Sequence, residues 1–248
     1  MHKLTQKEVF KDLNPEKIDF YLLNKVDSTN TFAKEMSLKK DYLVVISEEQ
    51  TAGRGRQGKD WYSPNAGNIY MSIRLKNNNP APLSLVVGLL ISEAMDSVSG
   101  RKINAGLKWP NDLLIDNKKI CGILIESEIS GDNNDFIIGI GINYSLPQKE
   151  SWWGDIGELA DILPREKLIN SILKKITFYA ENGYQNWKFA WEKRCIHMGK
   201  EVKAISNNEK DYELGKFYGI NEEGKMLLQT KNELKIISSG ECSIKGIY

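Results

Sequence analysis

An α+β fold is predicted, with a large mixed-sheet domain followed by a small β-barrel, and three observations predict it. Continuous apolar, β-branched runs such as YLVVIS (42–47) and the glycine-punctuated FIIGIGINYS (136–145) require a sheet buried on both faces. LSLVVGLLISEAMDSV (83–98) is apolar nearly all round, which requires a helix inside the same core. From Lys200 onward the texture changes to short alternating strands separated by turn residues, the pattern of a barrel module. The expected division is 1–198 and 199–248.

Each element follows in order. Residues 1–16 form a polar lead with a helical turn or two, stopped at Asn14-Pro15. IDFYLLNKV (18–26) is a strand, and DSTNTFAKEMSLKK (27–40) a helix with Ser28, Thr29 and Asn30 as candidate caps. YLVVIS is an interior strand, residues 49–67 a loop, and NIYMSIRL (68–75) a further strand. After the buried helix, residues 107–127 read as strand, turn, strand, with Asp116-Asn117 at the turn. FIIGIGINYS is a central strand, and helical patterns cover 155–162 and 165–196. EVKAIS, DYELGKFYGI, KMLLQT, LKIISS and CSIKGI complete the chain as strands, with turns at Asn207-Asn208 and at 221–224.

Composition narrows the chemistry. The chain has 248 residues and a formal net charge of +1, so any site for a polyanion must be a local patch. Cys121, Cys195 and Cys242 are scattered without C-x-x-C spacing, which reads as thiols of a reducing compartment. No apolar run is long enough to span a bilayer, and a cytoplasmic protein is expected. Only His2 and His197 are available, which argues against serine-hydrolase triads and His-ligated zinc. Catalysis, if present, must run on Lys, Arg, Asp and backbone amides.

TAGRGRQGKDWYSP (51–64) satisfies G-x-G-x-x-G and nearly satisfies the nucleoside-triphosphate loop. Both motifs require a helix directly after the glycines, because its N-terminus holds the phosphate. Here KDWYSPNAGN follows, with no helical period and with Asp60 where a hydroxyl is needed. Both matches fail on context. What remains is a glycine-hinged basic loop, either a solvated turn or a clamp whose guanidinium groups meet carboxylate or phosphate.

Companion segments favour the clamp. KWPND (108–112) ends a strand, Lys119 opens the run ICGILIE, and GIGIN (139–143) places two glycines in an apolar strand, where something must approach closely. Together with DSTN (27–30), WEKR (191–194) and the terminal β-module, these segments resemble the biotin protein ligases over nearly the whole chain. The resemblance implies a class II synthetase-like mixed-sheet catalytic domain and an SH3-like C-terminal barrel. It also implies an activity: biotin and ATP give biotinyl-5′-adenylate, and biotin then passes to one lysine of a biotin carboxyl carrier protein, a subunit of acetyl-CoA carboxylase.

By matching position, Ser28, Thr29 and Gln50 are implied to bind the ureido ring, with Asn30 beside them. Arg54, Gly55 and Arg56 are implied to wrap the biotin carboxylate and α-phosphate, and Lys119 to bridge the two, with Lys119 and Arg56 as the catalytic pair. Trp61 is a wall of the site or a core aromatic. Lys108, Asn111 and Asn143 are implied at the ATP end, Asp112 as a partner of Mg²⁺, and Trp153 over the adenine. The strand beginning near residue 18 leaves too little chain for a winged-helix DNA-binding domain, so a monofunctional enzyme without operator binding is expected. A homodimer through the edge of the central sheet is compatible with the resemblance. The rival readings are a lipoate–protein ligase of the same fold and a basic-loop nucleic-acid-binding module; KWPND and the GRGR loop argue against the first, and the near-neutral charge against the second.

Overall fold

The computed structural model describes residues 4–79, 81–130, 133–147, 150–206, 211–240 and 242–246; His2 and the turn expected at Asn207-Asn208 lie outside them. The larger sheet runs in the order β1-β2-β3-β7-β6-β5-β4. Its strands are β1 (Ile18–Leu23), β2 (Tyr42–Ser47), β3 (Ile69–Lys76), β4 (Gly106–Lys108), β5 (Asp112–Ile115), β6 (Lys118–Ser130) and β7 (Asn133–Ile142). β1 and β2 pair in parallel, because helix α2 (Thr29–Glu35) and the segment after it carry the chain back to the starting edge. β2, β3, β7, β6, β5 and β4 pair successively antiparallel. The sheet is therefore mixed, with the glycine-bearing β7 at its centre.

Alternation along the strands assigns the two faces. Val44, Ile46, Met71, Ile73, Ile138 and Ile142 point to one face and join α3 (Leu83–Ser99) and α4 (Arg165–Asn182) in the main core. Leu43, Val45 and Ile137 point to the other and meet Ala33 of α2 with Phe32 and Met36. Fully burying each such side chain contributes about 1.5–3 kcal/mol. α2 covers part of this face, with its Asn30 against Gly139, and Trp61 of the loop after β2 lies over Gly122 and Gly141.

The remaining chain forms α1 (Gln6–Val9), α5 (Trp187–Glu192) and the strands β8 (Glu201–Ser206), β9 (Tyr212–Ile220), β10 (Met226–Gln229), β11 (Leu234–Ile237) and β12 (Cys242–Gly246). The five strands make an antiparallel sheet in the order β11-β10-β9-β8-β12. Its inner residues Val202, Phe217, Met226 and Ile244 belong to the same core cluster as α3. Trp109 Nε1 donates to the Gly224 carbonyl at 2.9 Å, tying the two sheets together.

Three elements depart from expectation. The helix expected over 155–162 is a single 3₁₀ turn, Gly157–Leu159, and Pro164 then precedes α4. The helix expected over 165–196 stops at Gly183, which takes φ 71° after α4, and restarts as α5 from Asn186 at φ 57°. The strand expected to open at Leu107 reverses at Trp109-Pro110, so β4 and β5 pair with each other, Leu107 opposite Leu113. The second and third departures occur at a left-handed residue and at a proline, whose local conformation overrides the apolar pattern.

Candidate active site

A cavity of about 750 Å³ occupies the open face, and every candidate residue named from the sequence lines it: Ser28, Thr29, Asn30, Gln50, Arg54, Gly55, Arg56, Trp61, Lys108, Asn111, Asp112, Lys119, Asn143 and Trp153. The glycines make the room. A Cβ on Gly141 would lie 2.5 Å from the Trp61 indole, and one on Gly139 would lie 2.5 Å from Asn30 Oδ1. Gly141 faces Gly122 across the strands, so the indole rests on bare backbone. Trp61 is thus a wall of the cavity, and its Nε1 is buried with no hydrogen-bond partner among the described residues.

The basic loop is a short hairpin and carries no α-helix. Arg54 and Asp60 form a β-bridge, Gly55 N donates to Lys59 O at 2.6 Å, and Trp61 N donates to Gly53 O at 2.9 Å. Gln57 and Gly58 turn the chain at φ 56° and 72°. Arg54 Nη2 reaches Glu126 at 3.1 Å. Arg56 Nη1 donates to Asn111 Oδ1 at 3.3 Å, and its Nη2 contacts the Ser239 carbonyl between β11 and β12. The loop therefore reaches both sheets.

Cations dominate the opposite wall. Lys119 Nζ lies 2.7 Å from Asp112 Oδ1 and 5.1 Å from the Trp61 ring centroid. Burial holds the Lys108 ammonium below the usual lysine value; Asp112 raises it again, while Lys119 and Lys245 lower it further. Arg56 and Lys245 line the same space. Gathering these charges around Asp60 and Asp112 suits an anionic guest. Among the described residues, no group of three or more His, Cys, Asp or Glu is placed to hold a metal ion.

At the far end Ser28 Oγ caps α2 by accepting from Thr31 N at 3.5 Å. Gln50 Oε1 accepts from Thr29 N at 2.9 Å and lies 3.1 Å from Thr29 Oγ1. Gln50 Nε2 donates to Ser63 Oγ at 2.9 Å. Asn143 holds the backbone beside Lys119, donating to Gly154 O at 2.9 Å. That brings Trp152 and Trp153 to the mouth, where Trp153 stacks on Tyr62 with centroids 6.0 Å apart and planes at 15°.

Sequence reasoning missed several neighbours. Ser72 Oγ, fully buried on β3, lies 2.7 Å from Thr29 Oγ1 and 2.6 Å from Asn30 Oδ1. Glu126 Oε2 accepts from Asn30 Nδ2 at 2.7 Å. His197, buried beneath the cavity, has its imidazole pushed down to about 4 by burial and then by Lys108 and Lys200. A serine at a buried position of an apolar strand, and a glutamate closing the Lys119 motif, were the available signals.

The profile of the "Biotin/lipoate A/B protein ligase family" matches residues 22–143, and that of the "Biotin protein ligase C terminal domain" matches residues 197–245. The chain is 30% identical to the "Bifunctional ligase/repressor BirA" of Bacillus spizizenii, over 98% of this chain and 79% of that protein. It is 27% identical to the "Biotin--[acetyl-CoA-carboxylase] ligase" of Paracoccus denitrificans, over 91% of this chain and 100% of that one. The solved structure of the biotin protein ligase from Aquifex aeolicus in complex with biotin and ATP superposes with a TM-score of 0.74 at 30% identity, covering 92% of this chain and 99% of that chain.

Proposed function

The chain belongs to the biotin/lipoate A/B protein ligase family, and we infer from its site that it activates biotin with ATP and transfers it to a lysine of a biotin carboxyl carrier protein. The observation that carries this reading is the convergence of the GRGR loop and Lys119 on one cavity whose far end is lined by Ser28, Thr29 and Gln50.

The first step brings two anions together. A carboxylate oxygen of biotin attacks the α-phosphorus, the bond to the bridging oxygen breaks, and pyrophosphate departs with that electron pair. Lys119 and Arg56 offset the repulsion and stabilise the charge on the α-phosphate. No general base is required, because the acid is already ionised near neutral pH. In the second step the neutral amine of the carrier lysine attacks the acyl carbon, AMP leaves, and the amine proton is lost. The loop and Trp61 keep water from the acyl-adenylate.

Mg²⁺ is part of the proposal. Magnesium is usually held by one or two carboxylates together with substrate phosphates, and a single carboxylate, Asp112, at the cationic wall fits an ion delivered with the nucleotide. Asp112 would hold it, and it would neutralise charge on the pyrophosphate. Trp153, with Tyr62 beside it, is proposed to cover the adenine. Lys108, Asn111 and Asn143 are proposed at the nucleotide end. The division into domains 1–198 and 199–248, a cytoplasmic place of work and pairing of two copies through a sheet edge also belong to the proposal.

The test is exchange of labelled pyrophosphate into ATP. Exchange is expected with biotin and absent with lipoate or octanoate; exchange with lipoate alone would move the assignment to a lipoate ligase.

A further inference from the structure

Behind the polar end of the cavity, the hydroxyl protons can be counted. At one end of the chain of contacts stands Glu126, whose carboxylate only accepts. Asn30 therefore presents Nδ2 to it, at 2.7 Å, and must turn Oδ1 toward Ser72. At the other end the backbone N–H of Thr29 only donates, so the Gln50 atom facing it at 2.9 Å is Oε1. Between these fixed ends lie three oxygen–oxygen contacts, Asn30 to Ser72 at 2.6 Å, Ser72 to Thr29 at 2.7 Å, and Thr29 to Gln50 at 3.1 Å.

Ser72 and Thr29 supply one hydroxyl proton each, so one contact has none. The two short contacts are at hydroxyl hydrogen-bond length and each needs a proton. Ser72 then donates to Asn30 Oδ1, and Thr29 donates to Ser72 Oγ. The longest contact is left as two facing acceptors, Thr29 Oγ1 and Gln50 Oε1, and both line the cavity. A guest must bring an N–H to that point.

We propose that Glu126 and Ser72, neither of which lines the cavity, are positioning residues. They fix the direction of this relay and so make Thr29 and Gln50 an acceptor pair that selects a cyclic urea over acids without an N–H. The inference rests on the functional reading above. It supplies a reason for that reading's discrimination: Gln50 Oε1 keeps its bond from Thr29 N, but an alkyl or dithiolane end brings no donor between that oxygen and Thr29 Oγ1, which a site built around hydrogen bonds rejects. Each residue acts through another. Glu126 sets Asn30, Asn30 sets Ser72, and Ser72 takes the Thr29 proton away from Gln50.

Ser72→Ala frees the Thr29 proton to turn onto Gln50 Oε1 and close the pair. Biotin KM in pyrophosphate exchange is then expected to rise about tenfold or more, while kcat and the KM for ATP stay within about twofold and the competitive inhibition constant of octanoate falls or stays unchanged. Glu126→Ala, which lets the Asn30 amide rotate, is expected to raise biotin KM in the same way. Glu126→Gln keeps an acceptor for Asn30 and is expected to restore biotin KM to within about threefold of the wild type. The double variant Ser72→Ala/Glu126→Ala is expected to be no worse than Ser72→Ala alone, since both act on one relay. An unmoved biotin KM in folded Ser72→Ala, a parallel rise in the octanoate constant, or additive losses in the double variant would overturn the inference while wild-type exchange upholds the functional reading. Absence of biotin-dependent exchange in the wild type would overturn both.

Discussion

Lys119 and Asp112 stand 2.7 Å apart, yet each is proposed to serve a different part of the nucleotide. Their ion pair offsets the cost of keeping both largely out of water, and it leaves the ammonium beside the ring of Trp61. In the proposed mechanism a phosphate entering between them would take over the cation and release the acid. Lys119→Ala is expected to lower biotin-dependent pyrophosphate exchange by at least about 100-fold, the scale for removing one preorganised charge from a transferring group. Wild-type rates in that variant would remove the role. Arg56 reaches Asn111 on one side and the Ser239 carbonyl on the other, so it holds the loop down against both sheets. Arg56→Gly is expected to leave adenylate formation measurable while free biotinyl-adenylate appears in the filtrate about tenfold faster.

At the scale of the element, β7 shows why glycines recur in a strand that gains nothing from them locally. Isolated glycine weakens a strand through entropy and lost packing. Here the missing Cβ atoms admit the Trp61 indole at Gly141 and the Asn30 amide at Gly139. Gly141→Ala would set a methyl 2.5 Å from Trp61 Nε1, and the ring has to lift. We expect a loss of about 1–3 kcal/mol of stability from overpacking and a rise in biotin KM of about tenfold, read by urea denaturation and pyrophosphate exchange. The break at Gly183 belongs to the same scale: apolar spacing proposed one helix over 165–196, and a glycine at positive φ ended its first part.

Over the whole molecule, the seam between the two sheets carries a buried titratable group. His197 packs against Phe217 of the smaller sheet, ring centroids 6.1 Å apart. Burial first, then Lys108 and Lys200, pushes its imidazole from 6.5 to about 4. A folded value below the unfolded one means the unfolded chain binds the proton first. This contribution to stability is therefore complete above pH 6.5 and is lost as pH falls toward about 4. The gap amounts to about 3 kcal/mol at 1.36 kcal/mol for each pH unit. His197→Gln is expected to flatten that stretch of the profile in urea titrations at stepped pH; an unchanged slope would show that other groups carry it.

Much of this protein was legible in its residues alone. Apolar runs and turn residues placed the strands of both sheets, because burial period and turn chemistry act within a few neighbours along the chain. The basic loop, KWPND and the Lys119 strand raised the expectation of an anion site only when taken together, because each alone is also ordinary turn chemistry. Tertiary structure alone decided what those groups touch. It set Arg54 on Glu126, laid Trp61 on Gly141, and joined Ser72 to Thr29 and Asn30 across 43 and 42 positions of chain. It also seated Arg56 on the smaller sheet. Hydrogen-bond direction and desolvation depend on partners remote in sequence, and only the folded sheet brings those partners within reach.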